Sequence, residues 1–381
     1  MKRILFVDDE PNVLEGLKRM LRPFRHEWEM KFAASGPEAL AILAGTPAEV
    51  IVTDMRMPGM NGGELLTEVA RRYPHMVRII LSGTEDQDLR MKAAVTAHQY
   101  LSKPCHGAGL RDVVNRAFAL RERLARPELS DLITRVEMLP SCSASHDTLL
   151  RLVDSPSASV QDVGAVVTAD MAMTAKVLQL VNSTFFGHGR HITNPAEAVA
   201  YLGLDSMRAL AASGHVFSPF RTRPGRRFSL QGLQEHACAV ARRAVRIAKS
   251  QLCSKQMLDD IFVAALLHDI GKLVLAAEFP VECDDLLASE LGWSHEQAQA
   301  ERSTYGTTHA EIGSYLLWLW GLSDTIVEAV AFHHDPARAP SGGFRPLTVV
   351  HLADAHELGI PMDLEYLERA GVRADRVASI P

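Results

Sequence analysis

Residues 265–272 read ALLHDIGK, so a histidine and an aspartate, His268 and Asp269, close an apolar run. A buried polar or charged group is costly unless something holds it, so the doublet needs a structural partner or a ligand. Further imidazoles and carboxylates stand on both sides. His236 lies in QEHACAVARRAVRIAKS, His309 in TTHAEIGSYLLWLW, His333 and His334 at the end of SDTIVEAVAFHH, and Asp354 in VVHLADAHEL. Imidazoles with carboxylates suit Mn, Fe, Ni or Zn better than Ca. A shared Asp269 could bridge two such ions, which would activate water on a phosphate ester. Lys272 follows His268 on the same face of a helix and could neutralise a phosphate. Each residue also has an ordinary use. The helix dipole favours His333 and His334 at a C-terminus. A Thr308/Glu311 capping box would put His309 in a first turn. Asp269 could simply accept bonds from a neighbouring helix. The ordered set H…HD…H…HH…D strengthens the ligand reading beside these uses.

A second acidic group lies near the N-terminus. Asp8 and Asp9 follow the apolar run ILFV, and Asp54 ends EVIVTD. In a parallel sheet the carboxyl ends of the strands meet in a crevice at the switch point of strand order, so three carboxylates should converge there. Crowded carboxylates raise a pKa or demand a cation, and Mg²⁺ suits such a site. Ser82 and Lys103, at later strand ends, would offer a hydroxyl and a cation to an anionic group on Asp54. A carboxylate can act as the nucleophile that forms an aspartyl-phosphate. Taken singly, Asp8 reads as a helix N-cap, with Asp9, Glu10 and Pro11 favouring a first turn. Ser82 alone reads as a turn residue and Lys103 alone as a solvated lysine.

Two kinds of structure must position these residues. Up to about residue 122, strand-like runs alternate with helical patterns: ILFV (4–7), EMKFAAS (29–35), EVIVTD (49–54), RIILS (78–82) and QYLSK (99–103). That alternation predicts an α/β domain on a five-stranded parallel sheet. Beyond it strand-like runs vanish, and helical patterns over 170–182, 195–213, 231–252, 258–278, 308–320, 323–334 and 346–358 predict an all-α half. ALRERLARPEL (119–129) reads as the last helix of the first domain running into a linker that Pro127 breaks. The expected division is a domain over 1–122, a linker over 123–130 continuing its last helix, and a helical domain over 131–381. The chain of 381 residues, 47% hydrophobic and 23% charged, has the composition of a globular protein. A net charge of −6 and the lack of a basic stripe or helix-turn-helix pattern argue against nucleic acid as partner. No apolar run approaches the roughly 18 residues of a membrane helix. Cysteines 105, 142, 238, 253 and 283 form no CxxC and read as reduced thiols of a cytoplasmic protein.

VDDEP, VTDMRMPGMNG, LSG and YLSKP, in this order, resemble the receiver domain of two-component response regulators, which has a flavodoxin-like fold. The resemblance implies that Asp54 is the phosphoacceptor of a sensor histidine kinase. It implies that Asp8, Asp9 and Asp54, with the Arg56 carbonyl, hold Mg²⁺. Ser82 becomes the switch hydroxyl, Lys103 the phosphate-contacting lysine and Tyr100 the rotating aromatic. Residues 169–210, ADMAMTAKVLQLVNSTFFGHGRHITNPAEAVAYLGLDSMRAL, with the Asn182–Ser183 pair, then AVAYLG and the later ALLHDIGKLVL, resemble the HDOD domain. This is an HD-fold module related to the HD-GYP phosphodiesterases. His334 is followed by DPARAPSGGF, without the Gly-Tyr-Pro signature of that branch, and Gly232 stands where some of its members carry a ligand glutamate. The resemblance implies an output domain acting through protein–protein interaction on a downstream signalling protein, more a non-catalytic regulator than an enzyme. The alternatives are a metal-dependent phosphohydrolase acting on cyclic dinucleotides, and a metal- or nucleotide-sensing module. A homodimer through the receiver or the linker helix is compatible with either.

Overall fold

The computed structural model describes residues 2–82, 96–103, 107–123, 133–134, 136, 139–155, 157–182, 192–212, 218–219, 227–288, 295–340 and 342–372. The side chain of Ser82, all of Ser183, Cys105 and the linker residues 124–130 lie outside that description.

The first part is a five-stranded parallel sheet of order β2-β1-β3-β4-β5, formed by β1 (Lys2–Val7), β2 (Trp28–Ala33), β3 (Val50–Asp54), β4 (Val77–Ser82) and β5 (Gln99–Ser102). This is the flavodoxin-like order expected from the motifs. Strand β3 is buried along its whole length, as a strand covered on both faces must be. Helix α1 (Pro11–Leu21) starts with proline at its first position and buries Leu14, Leu17 and Leu21 on one stripe. Helix α2 (Gly36–Gly45) is capped by Ser35. Helix α3 (Gly62–Arg72) opens with a capping box between Asn61 and Glu64. Helix α4 covers Gly107–Arg123. The strand order reverses between β1 and β3, which places Asp8 and Asp54 at the switch point.

The chain forms two compact units, the first of Met1–Met138 with the segments Gln179–Arg190 and Leu319–Gly321, the second of Leu139–Leu178, His191–Trp318 and Leu322–Pro381. Residue 134 is tied into the first unit. The Thr134 carbonyl accepts from the buried Arg78 guanidinium at 3.2 Å, and His98 Nε2 stands 3.1 Å from it. Arg78 N–H donates to His98 Nδ1, so Nε2 carries the proton given to Thr134.

The second unit is helical. It also contains a short parallel ladder, β6 (Pro140–Ser141) with β7 (Ser218–Pro219), where the sequence predicted no strand. Helices α5 (Ser143–Val153), α6 (Val160–Thr168), α7 (Met171–Asn182) and α8 (Pro195–Ala212) come first, and α5, α6 and α8 pack together. Helix α8 is kinked at Gly203, whose φ of 78° a glycine adopts freely. Helices α9 (Leu230–Ser250), α10 (Lys255–Leu267), α15 (Asp324–Phe332) and α16 (Pro346–Leu358) form the central bundle. Between α10 and α15 in the chain run α11 (Ile270–Glu278), α12 (Pro280–Ala288), α13 (His295–Tyr305) and α14 (His309–Leu319), and α17 (Leu364–Arg369) closes the description. Helices α5, α6, α12, α13 and α17 have no counterpart in the sequence reading.

The single helix expected over 258–278 is two helices, broken at the His268–Asp269 doublet. Both segments are apolar on most faces because both are buried, so periodicity carries no trace of the break. The break turns α11 onto α14. A Cβ on Gly271 would lie 1.9 Å from the His309 carbonyl oxygen, so only glycine allows this approach. Lys272 therefore does not continue the helix of His268. Among the described residues no single helix is long and apolar enough to cross a membrane.

Candidate metal centre and acidic pocket

At the β1/β3 crevice, Lys103 bridges two carboxylates. Its ammonium pairs with Asp8 Oδ2 at 2.7 Å and with Asp54 Oδ1. Asp54 Oδ2 accepts the Arg56 N–H at 2.7 Å, and Asp8 Oδ1 accepts the Glu10 N–H at 3.0 Å. Burial pushes the Asp54 carboxyl above its ordinary value, against the pull of Lys103. Burial opposes the charge on Lys103, but Asp54 and Asp8 outweigh it and hold the ammonium above its ordinary value. Asp9, next in the chain after Asp8, is half-buried. Three carboxylates against one ammonium leave negative charge to balance, which fits a hard divalent cation. Tyr100 is buried in the core with Ile80, Leu66 and Met55. Gly62 permits the pocket. A Cβ there would stand 2.1 Å from the Asp54 carbonyl, while its N–H donates to Met55 O at 2.9 Å.

In the second unit the structure brings together all seven residues singled out from the sequence. Asp269, His309, His333 and His334 form one group with ligand atoms within 4.8 Å of one another, and His236, His268 and Asp354 form another. Asp269 divides itself between them. Its Oδ1 lies 3.2 Å from His309 Nε2 and 3.8 Å from His333 Nε2, while its Oδ2 lies 3.3 Å from His268 Nε2 and 3.8 Å from His236 Nε2. Asp354 Oδ1 lies 3.1 Å from His236 Nε2 and 3.5 Å from His268 Nε2. His334 Nε2 stands 3.2 Å from His309 Nε2.

The outer nitrogens explain how the rings are aimed. His268 Nδ1 lies 2.7 Å from the Ala265 carbonyl and His333 Nδ1 lies 2.8 Å from the Val330 carbonyl. A carbonyl only accepts, so each Nδ1 carries the proton, and in the neutral ring each Nε2 turns a lone pair inward. His309 Nδ1 donates in the same sense to Glu301, 2.7 Å away. His268 Nε2 and Asp269 Oδ1 are buried without a hydrogen-bond partner. Inward lone pairs beside carboxylate oxygens repel, and a metal ion removes that conflict. Outer-nitrogen bonding is how proteins fix metal-ligating histidines.

The charges agree. Asp269, Asp354 and Glu301 are buried with one buried ammonium, Lys272. Three negative charges less one positive leave negative charge to balance when the imidazoles are neutral, which favours divalent cations there. Without such an ion the cluster must take up protons. Burial disfavours charge on His268, but Asp269 outweighs it and pushes the imidazole up to about 10. Burial raises Glu301, yet His309 outweighs it and holds the carboxyl below its ordinary value. Burial, then His309, depresses His334 to about 3. Lys272 Nζ sits 2.7 Å from Asp269 Oδ2 rather than beside His268, as the sequence had suggested.

The Thr308/Glu311 box forms as expected, with Glu311 N–H to Thr308 Oγ1 at 3.2 Å and Thr308 N–H to Glu311 Oε2 at 3.3 Å. Glu301 was not foreseen, because nothing in ERSTYGTTH marks it. His351 also escaped notice. Its Nδ1 donates to the His333 carbonyl at 2.8 Å and its Nε2 accepts the Asp363 N–H, which fixes the end of α15. Asn182 ends α7. The four described cysteines, 142, 238, 253 and 283, are free thiols.

A family model described as the HDOD domain matches residues 139–336, and one described as the response regulator receiver domain matches residues 4–115. The hydrogenase transcriptional regulatory protein HoxA of Cupriavidus necator is 28% identical over 214 residues, covering 52% of this chain and 44% of that protein. The transcriptional regulatory protein HptR of Staphylococcus aureus is 31% identical over 155 residues, covering 40% of this chain and 58% of that protein. The chain thus spans about half the length of the curated relatives it matches. Among solved structures, the MmoQ response regulator of Methylococcus capsulatus is 23% identical with a TM-score of 0.48, covering 64% of this chain and 97% of that one.

Proposed function

The chain belongs to the HDOD family and carries an N-terminal response regulator receiver domain, and on that premise we propose that it is a two-component response regulator whose output domain is a metal-dependent phosphohydrolase. One observation carries the proposal: six ligand-type side chains converge around a dividing carboxylate, with three imidazoles held so that Nε2 faces inward. His236, His268, Asp354 and Asp269 Oδ2 would hold one ion, and Asp269 Oδ1, His309, His333 and His334 a second. Mn, Fe, Ni or Zn matches these donors. Bound divalent ions supply Lewis acidity to a phosphoryl group and acidify water. The chain's own part is to set the ligands. Asp269 joins the two groups, the outer bonds of His268, His309 and His333 fix their rings, and Lys272 keeps positive charge beside Asp269 for an anionic phosphodiester such as a cyclic dinucleotide.

In the receiver, Asp54 would accept a phosphoryl group from a sensor histidine kinase. Asp8, Asp9, Asp54 and the Arg56 carbonyl would hold Mg²⁺, and Lys103 would contact the phosphoryl oxygens. Ser82 and Tyr100 would respond to the added charge and bias a two-state element.

A second reading is a non-catalytic output that holds its ions and acts through a downstream signalling protein. Burial favours it. Of the seven side chains, His236 is 15% and His334 10% exposed, while the others are 3% exposed or less. One experiment separates the readings. Metal content of the purified chain is measured, then hydrolysis of cyclic dinucleotides with Mn²⁺ or Fe²⁺, beside Asp269→Ala. Metal with turnover that Asp269→Ala abolishes supports the hydrolase. Metal without turnover supports the second reading, and no metal overturns both.

A further inference from the structure

Three imidazoles of the two candidate ion positions differ in what stands behind them. His268 and His333 each donate to a backbone carbonyl at 2.7 and 2.8 Å. His309 instead donates Nδ1–H to a carboxylate, Glu301, at 2.8 Å from one oxygen and 2.7 Å from the other. The same carboxylate takes the His309 backbone N–H at 2.8 Å, so it fixes both the ring and the first residue of α14. Glu301 is 2% exposed, so its contact with His309 is shielded from water. A charged acceptor behind an imidazole increases the basicity of the inward nitrogen more than a neutral carbonyl does. His309 belongs to the group with Asp269, His333 and His334 and not to the other.

We propose that Glu301 is a positioning residue for His309 and that it makes the Asp269–His309–His333–His334 position the tighter of the two ion sites. This rests on the metal-holding reading above and adds a ranking of the two positions. A purely structural Glu301 would cap α14 through the His309 N–H and leave ion affinity alone.

Glu301→Gln separates the two. The amide keeps the shape and one acceptor oxygen but loses the charge. The full chain, stripped of metal, is titrated with Co²⁺ and followed by its ligand-field absorption, with bound metal counted by elemental analysis. The wild type is expected to fill in two steps. In Glu301→Gln the first step should weaken by roughly 10–100-fold, with the second step unchanged. An unchanged first step overturns the proposal, and so does equal weakening of both steps, which marks a general packing defect. Uptake of one equivalent alone by the wild type overturns the ranking. No uptake at all by the wild type overturns the metal-holding reading itself, a result distinct from uptake that Glu301→Gln leaves unaltered. Should Glu301→Gln fail to fold, the ¹⁵N imidazole spectrum of the wild type is followed through a Zn²⁺ titration, with the His309 signals assigned by their loss in His309→Gln. Movement of the His309 signals in the first step is expected, and their movement only in the second step overturns the proposal.

Discussion

Asp269 touches more of the candidate centre than any other described side chain. One oxygen faces His309 and His333, the other His268, His236 and the Lys272 ammonium. Its loss should therefore be felt even without a metal. Asp269→Ala removes the carboxylate that pairs with a buried ammonium at 2.7 Å, and breaking a buried pair costs about 3–5 kcal/mol. Urea unfolding of the chelated protein should show that loss, and a change below about 1 kcal/mol would mean that the pair contributes little. Asp54 allows an equally direct check. Asp54→Ala should abolish labelling by a small phosphodonor, and persistent labelling would place the phosphoacceptor elsewhere. Residue identities at both sites were legible in the sequence. Glu301 was not, because its role is defined by distance to His309 and not by any pattern around it.

Glycines at element junctions decide whether the sites assemble. Gly271 lets α11 meet α14, and Gly313 lies opposite, where a Cβ would stand 3.0 Å from the Gly271 nitrogen. Gly271→Ala would force a Cβ to 1.9 Å from the His309 carbonyl, and backbone cannot yield as a side chain can. We expect a loss of about 1–3 kcal/mol or more, with weakened metal uptake because His309 is displaced. Gly16→Ala in α1 is the control, since nothing lies within 4 Å of its Cβ. Helix propensity predicts a gain there of about 0.5–1 kcal/mol. Comparable destabilisation by both changes would refute the close-crossing account. At this scale the sequence read well where amphipathicity was strong, as in α9, and poorly where burial on all sides erased it, as in α10 and α11.

At the scale of the whole molecule there are two compact units, each with its own candidate site. Metal bound only by the folded state stabilises it by mass action, about 2.7 kcal/mol when the ligand stands at a hundred times its dissociation constant. For a helical unit of this size, chelation of transition metal should lower its melting by roughly 5–10 °C. The receiver transition should stay where it is. Calorimetry of the full chain resolves this, and two transitions that fall together would contradict independent metal loading.

The sequence alone determined which residues can do chemistry and what class of fold carries each set. Strand periodicity and motif order suffice for a parallel sheet with acids at its switch point, because those signals are local. Only the tertiary structure decided that His236 and Asp354 meet, that Asp269 faces two groups at once and that the doublet breaks a helix. Those facts rest on contacts between segments far apart in the chain, on glycine-permitted crossings and on a buried carboxylate behind His309. Local pattern has no access to any of them.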